Sequence, residues 1–206
     1  MIINWHGQTC FKIVASKSKN GSVTILLDPL EKESGLRSPK NDADILVSSK
    51  SGIKKEDAGS AFLIDGPGEY DVKDVYIYGF DALDKEAGSF YTIETEDIKI
   101  CHLGFLGPKG LSSEQIEEIG DVDILMIPVG DGGALDAKTA IKIMSDIEPK
   151  ITIPMNYKIP GLKTKVDELS VFLKALGIKA LPAIPKLSIR KKDIPQDEAK
   201  IIVLEA

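Results

Sequence analysis

The sequence predicts a mixed α/β fold: two mixed sheets with helices outside them, in a single domain spanning residues 1–206. Three observations predict it. Short apolar or β-branched runs punctuated by Gly, Pro and Asn make the N-terminal half mostly β. The C-terminal half alternates strand-like and helix-like apolar periods. One strand-helix-strand unit between Val122 and Met155 calls for a parallel pair with a right-handed crossover. At 206 residues and 43% hydrophobic, the chain can bury a real core.

Each element has a local reason. Ile2 to Trp5, Cys10 to Val14 and Ser22 to Leu27 read as strands, separated by Gly7 and by the hairpin signal Asn20-Gly21. Asp28-Pro29 ends the third, and the polar run Glu31 to Asp42 is a loop. Asp44 to Val47 is a strand leading into Ser48-Ser49-Lys50-Ser51-Gly52, and Ile53 to Ala58 makes one or two helical turns. Strand character returns at Ala61 to Ile64, Val72 to Tyr78, Phe90 to Glu94 and Ile98 to His102, with Gly66-Pro67-Gly68 as a breaker after the first. Ser112 and Gln115 form a capping box for a helix through Ile119, stopped by Gly120. Val122 to Val129 is apolar almost throughout, as a strand covered on both faces requires. Asp136 caps a helix with Ala140, Ile143, Met144 and Ile147 on one face, ended by Pro149 before the strand Lys150 to Met155. A last helix carries Val166, Leu169, Phe172, Leu173 and Leu176, and Leu187 to Ile189 and Ile201 to Leu204 are closing strands.

The net charge of -6 argues against a phosphate-backbone partner, which needs a basic face, and equally against an anionic membrane surface. No stretch is long and apolar enough for a membrane span, and Met1 to Trp5 lacks the basic-then-apolar order of a signal peptide. A cytoplasmic protein is expected, with Cys10 and Cys101 as buried reduced thiols inside apolar runs.

Several stretches carry a family likeness. They are Trp5-His6-Gly7-Gln8-Thr9-Cys10-Phe11, Ile25-Leu26-Leu27-Asp28-Pro29, Ala43-Asp44-Ile45-Leu46-Val47-Ser48 and Gly66-Pro67-Gly68-Glu69-Tyr70. Later come Cys101-His102-Leu103-Gly104, the run Val122 to Gly130, and Pro149 to Tyr157. In this order, over nearly the whole chain, they resemble the metallo-β-lactamase superfamily. The similarity is to its small bacterial branch of zinc-dependent hydrolases, related to the ascorbate-phosphate lactonases. The resemblance implies a four-layer αββα sandwich and, for the family, zinc or manganese at a dinuclear hydrolytic centre.

The family's metal motif, Thr/Ser-His-x-His-x-Asp-His, falls on Ser48 to Lys54. The resemblance puts its ligand positions on Ser49, Ser51, Ile53 and Lys54, its bridging aspartate on Phe105 and its last histidine on Asn156. A further family histidine has no counterpart in Phe80 to Lys85, where Asp81 and Asp84 occur instead. A count agrees without the family. Zinc takes three or four ligands from His, Cys and carboxylate, and the chain has two histidines, His6 and His102. No metal cofactor is therefore expected. Both histidines read as structural, with ring nitrogens satisfied by backbone at strand ends. Asp28, Glu69, Asp84 and His102 are candidates to line the remaining pocket. Lys54 either sets its ammonium near Asp28, one cation for another, or is an ordinary surface lysine.

Other motifs carry less. Ser51-Gly52-Ile53-Lys54 matches the Ser-x-x-Lys of serine β-lactamases, without its companion Ser-Asp-Asn or Lys-Thr-Gly. Gly130-Asp131-Gly132-Gly133 reads as a tight strand-to-helix turn. The expected function is non-catalytic: a pseudoenzyme binding a small molecule or a protein, with homo-oligomerisation suggested by the lactonase-like relatives. The alternatives are a lactonase- or phosphodiesterase-type hydrolase with an improvised metal site, and a structural subunit of an active relative.

Overall fold

The structure, a computed structural model, describes residues 1–16, 21–40, 42–50, 52–53, 55–84 and 88–206. Its strands are β1 (Ile2–Trp5), β2 (Phe11–Ser16), β3 (Ser22–Leu27), β4 (Ile45–Val47), β5 (Phe62–Ile64), β6 (Gly68–Val72), β7 (Val75–Asp81), β8 (Ser89–Thr95), β9 (Ile98–His102), β10 (Ile124–Pro128) and β11 (Ile151–Met155). The short strands β12 (Ala183–Ile184), β13 (Leu187–Ser188), β14 (Lys200–Ile201) and β15 (Val203–Leu204) close the chain. The helices are α1 (Lys55–Ala58), α2 (Ser113–Ile119), α3 (Ala137–Ile147) and α4 (Leu169–Ala175).

Among the described residues the strands form two large mixed sheets, ordered β13-β1-β2-β3-β4-β5 and β14-β11-β10-β9-β8-β7-β6, and a small β12-β15 pair. One apolar cluster joins the two. Ile3, Phe11, Ile13, Ile25, Leu27 and Ile45 enter it from the first sheet, and Ile77, Ile93, Ile100 and Ile124 from the second. Strand β2 alternates buried and half-buried residues, as a strand with one core face must. Strands β10 and β11 are buried at every position. They lie parallel, with α3 as the crossover helix, so both of their faces are covered. The outer face of the first sheet is covered more thinly. A satellite cluster of Cys10, Leu26 and Ala43, with Leu30 and Ala61 against it, packs there.

Local signals explain most boundaries. Ser112 and Gln115 make the reciprocal capping box on α2, and the Asp136 carboxylate accepts from the Thr139 N–H at the start of α3. Asp136→Ala should cost about 1 kcal/mol, the usual value of an N-cap, measurable as a lower urea midpoint with unchanged slope.

Three expectations need correction. The strand placed at Val72 to Tyr78 is the joint of an antiparallel hairpin, β6-β7, because Lys73 and Asp74 turn the chain at φ 57° and 67°. Two consecutive left-handed residues make a type I′ turn, whose usual Asn-Gly signal is missing here. The last helix starts at Leu169, and Val166 lies outside it, in the segment against which Gly132 packs. The stretch Ile201 to Leu204 is split: β14 continues the second sheet beside β11, whereas β15 pairs with β12. The hairpin residue Asn20 lies outside the described residues, although β2 and β3 do pair antiparallel.

Candidate functional site

Strands β3 and β4 run parallel, as do β9, β10 and β11. The loops leaving the carboxyl ends of such strands are where α/β sheets place ligand-contacting residues. Here Asp28 follows β3, Ser48 and Ser49 follow β4, His102 ends β9, and Asn156 follows β11. Asp28 joins one residue from each sheet. Its Oδ1 accepts from the Ser49 backbone N–H at 2.6 Å, and its Oδ2 accepts from Ser49 Oγ at 2.8 Å and His102 Nε2 at 2.9 Å.

All three residues are buried. Burial pushes the Asp28 pKa up, but hydrogen bonds and charge from His102, then the Ser49 bonds, outweigh it, and the net shift is downward. An ionised carboxylate only accepts, so the Nε2–H of His102 donates. The histidine reading is thereby corrected: His102 is held by a carboxylate rather than by backbone. Its Nδ1, like His6 Nε2, has no hydrogen-bond partner among the described residues. Sequence alone does not show that a side chain 74 residues away supplies the acceptor.

The backbone around this network is strained and close-packed. Asp28 and Asn156 adopt φ 46° and 53°, and Gln8, whose carbonyl accepts the Asn156 N–H at 2.9 Å, adopts φ 48°. Non-glycine residues held left-handed cost conformational energy, least for Asp and Asn, and need surrounding contacts to hold them there. Gly104 is also left-handed, at φ 52°, and a Cβ there would overlap Ser49 Cβ and Oγ. Ser49 is fixed from the other side as well: its carbonyl accepts the Ser89 N–H at 2.8 Å. The neighbouring Ser48 carbonyl accepts the Tyr91 hydroxyl at 2.7 Å.

A cavity of about 70 Å³ opens beside Asp28, lined also by Thr9, Ser48, Ile53 and Phe105. Above it lies a cleft of about 990 Å³, reaching Asp84, Lys109 and Gly132-Gly133. Lys50, Glu31, Gln8 and Phe105 belong to both. The Lys50 ammonium sits 4.1 Å from the Phe105 ring centroid and 3.4 Å from Glu31. Asp84 stands at the cleft wall, ion-paired to Lys109 at 2.7 Å, which lowers its pKa. The residues expected at the site are thus partly brought together. Asp28, Ser49 and His102 touch, and Ile53 and Phe105 line the adjoining cavity. Asn156 sits at the end of β11, buried, with Oδ1 unpartnered among the described residues. Glu69 is exposed on β6, interacting with Tyr76, and lines neither space. Ser51 and Lys54 lie outside the described residues, and with them the Ser-x-x-Lys motif and the pairing of Lys54 with Asp28. Thr9, Glu31 and Lys50 had no role assigned from sequence, since only the folded loops bring residues 9, 31, 50 and 105 around one space.

Two large mixed sheets packed face to face, with loops from both meeting at one edge, define a metallo-β-lactamase fold. The chain belongs to the β-lactamase superfamily: the model of the β-lactamase superfamily domain matches residues 2–156. A structure from Thermotoga maritima, described as a Zn-dependent hydrolase of the metallo-β-lactamase superfamily, is 31% identical over the whole of both chains, with TM-score 0.81. A UPF0173 protein of Pyrococcus abyssi is 29% identical over 193 residues, 78% of this chain and 85% of that one. A UPF0173 metal-dependent hydrolase of Carboxydothermus hydrogenoformans is 38% identical over 64 residues, so the match spans 31% of this chain and 28% of that relative.

The family implies a metal, and the described side chains at this place do not make its usual donor set. Among the described residues no three His, Cys, Asp or Glu side chains converge. The one carboxylate and the one imidazole at the network are bonded to each other. Ser49, Ile53, Phe105 and Asn156, at the family's ligand positions, are not usual zinc ligands, and the other carboxylate lining the cavity, Glu31, is ion-paired to Lys50. Cys10 and Cys101 are free and buried, and burial raises both thiol pKa values, that of Cys101 to about 12, far from a reactive thiolate.

Proposed function

We propose that this is a non-catalytic member of its superfamily. A hydrogen-bonded core stands where the family resemblance puts the metal ligands, and the cleft above it binds a small ligand or a protein partner. The single observation behind this reading is the engagement of Asp28, whose two oxygens take three donors from Ser49 and His102. A carboxylate so engaged has three of its roughly four lone-pair sites turned to protons instead of a cation. Ile53 and Phe105 add apolar volume beside it, which suits a desolvated pocket without a cation to neutralise acids. The setting in this reading is the cytoplasm, with self-association into a homo-oligomer. Among the described residues no helix is long and apolar enough to cross a membrane.

Metal analysis of protein purified without added zinc tests it. The expected result is sub-stoichiometric zinc and manganese, and a thermal unfolding curve unmoved by chelator. The names of the relatives favour the rival, a metal-dependent hydrolase. Stoichiometric metal, removed by chelator together with lactonase or phosphodiesterase activity, would establish that rival and defeat the proposal.

A further inference from the structure

We infer that the cleft recognises an organic ammonium ion, and that Lys50 stands in for that ligand from within the chain. The inference rests on the metal-free reading, since a resident divalent cation would repel such a ligand. The Lys50 ammonium lies over the Phe105 ring and beside Glu31, an aromatic face and a carboxylate around one cation. These are the two groups that bind alkylammonium ions. The side chains of Lys50 and Glu31 are 48% and 64% exposed, so this internal occupant is held weakly and can swing into water.

The charges around it point the same way. Glu31, Glu33 and Asp84 line the cleft against Lys50 and Lys109, and Asp28 lies in the cavity below. Lys109 is held by Asp84. With Lys50 turned outward, the described residues of the wall leave Glu31 and Glu33 unbalanced around an aromatic floor. A second observation is independent of charge. Thr9 is buried and lines the inner cavity, and its Oγ1 has no hydrogen-bond partner among the described residues. An ammonium N–H is a donor suited to such an oxygen. The ligand class is therefore a primary amine or diamine with a short alkyl body.

The experiment is a titration of full-length protein, its metal content measured first, with butylamine and 1,4-diaminobutane at pH 7. Butanol and butyrate serve as neutral and anionic controls at equal ionic strength. Both amines should bind saturably and shift the Phe105 ring resonances, and neither control should. Lys50→Met should tighten amine binding about threefold, because the internal competitor is gone. Phe105→Leu and Glu31→Gln should each weaken it about fivefold. Butyrate or butanol binding as well as butylamine, or Lys50→Met weakening the amines, would overturn the inference. The exposed positions 31 and 50 keep the test decisive should Phe105→Leu fail to fold. Metal-free protein indifferent to amines overturns this inference alone, whereas stoichiometric zinc overturns the metal-free reading beneath it.

Discussion

Asp28→Ala should destabilise the protein by about 3–5 kcal/mol, the usual cost of removing one partner from a buried charged network. The substitution strands the Ser49 N–H, the Ser49 hydroxyl and His102 Nε2, all buried and all now bonded to that carboxylate. For a chain of this size the midpoint of thermal unfolding should fall by roughly 10 °C. A loss below about 1 kcal/mol would mean that the network contributes nothing beyond ordinary polar contacts. The same carboxylate gives an acid limb to stability. In the unfolded chain it takes its proton near pH 3.9, roughly the model-peptide value. In the folded chain it does so only at lower pH, since its pKa is depressed there. Its contribution is therefore whole above about pH 4 and is lost as the pH falls through the folded value. Asp28→Ala should flatten that limb, measured as urea stability between pH 2 and 5.

Gly104→Ala should be nearly as damaging, about 2–4 kcal/mol, from backbone strain at φ 52° together with overlap on Ser49. The overlap can be separated from the strain. Ser49→Gly removes the Cβ and Oγ that the new methyl meets, so the double variant should lose less than the sum of the two single changes. Additive losses in the denaturation midpoints would show that packing against Ser49 is not the cause.

Much of this architecture is written in the order of residues, and the limits are physical. Apolar period, caps and breakers marked most elements, because each depends on neighbours within a few positions. The type I′ turn at Lys73-Asp74 escaped, because its left-handed residues are neither Asn nor Gly. Ile201 to Leu204 looked continuous, because no local signal marks the change of partner from β11 to β12. At the site, the family likeness pointed to Ser49, Asn156 and Phe105, while the two-histidine count spoke only against a histidine-rich metal centre. Neither could show that Asp28 bonds His102, or that Lys50 covers Phe105. Those contacts depend on which loops the two sheets bring side by side.

The Asp28 network carries one more consequence. Asp28 and Ser49 hang from the first sheet and His102 from the second, so the Asp28–His102 bond crosses the interface like a rivet through two plates. A mutational scan scored on abundance would then find this cluster as intolerant as the buried isoleucines. In a working hydrolase the corresponding loops can vary at the expense of turnover while the scaffold stands. If the protein is non-catalytic, as proposed, the signature of damage would be lost protein, and intolerance at these positions would report architecture rather than chemistry.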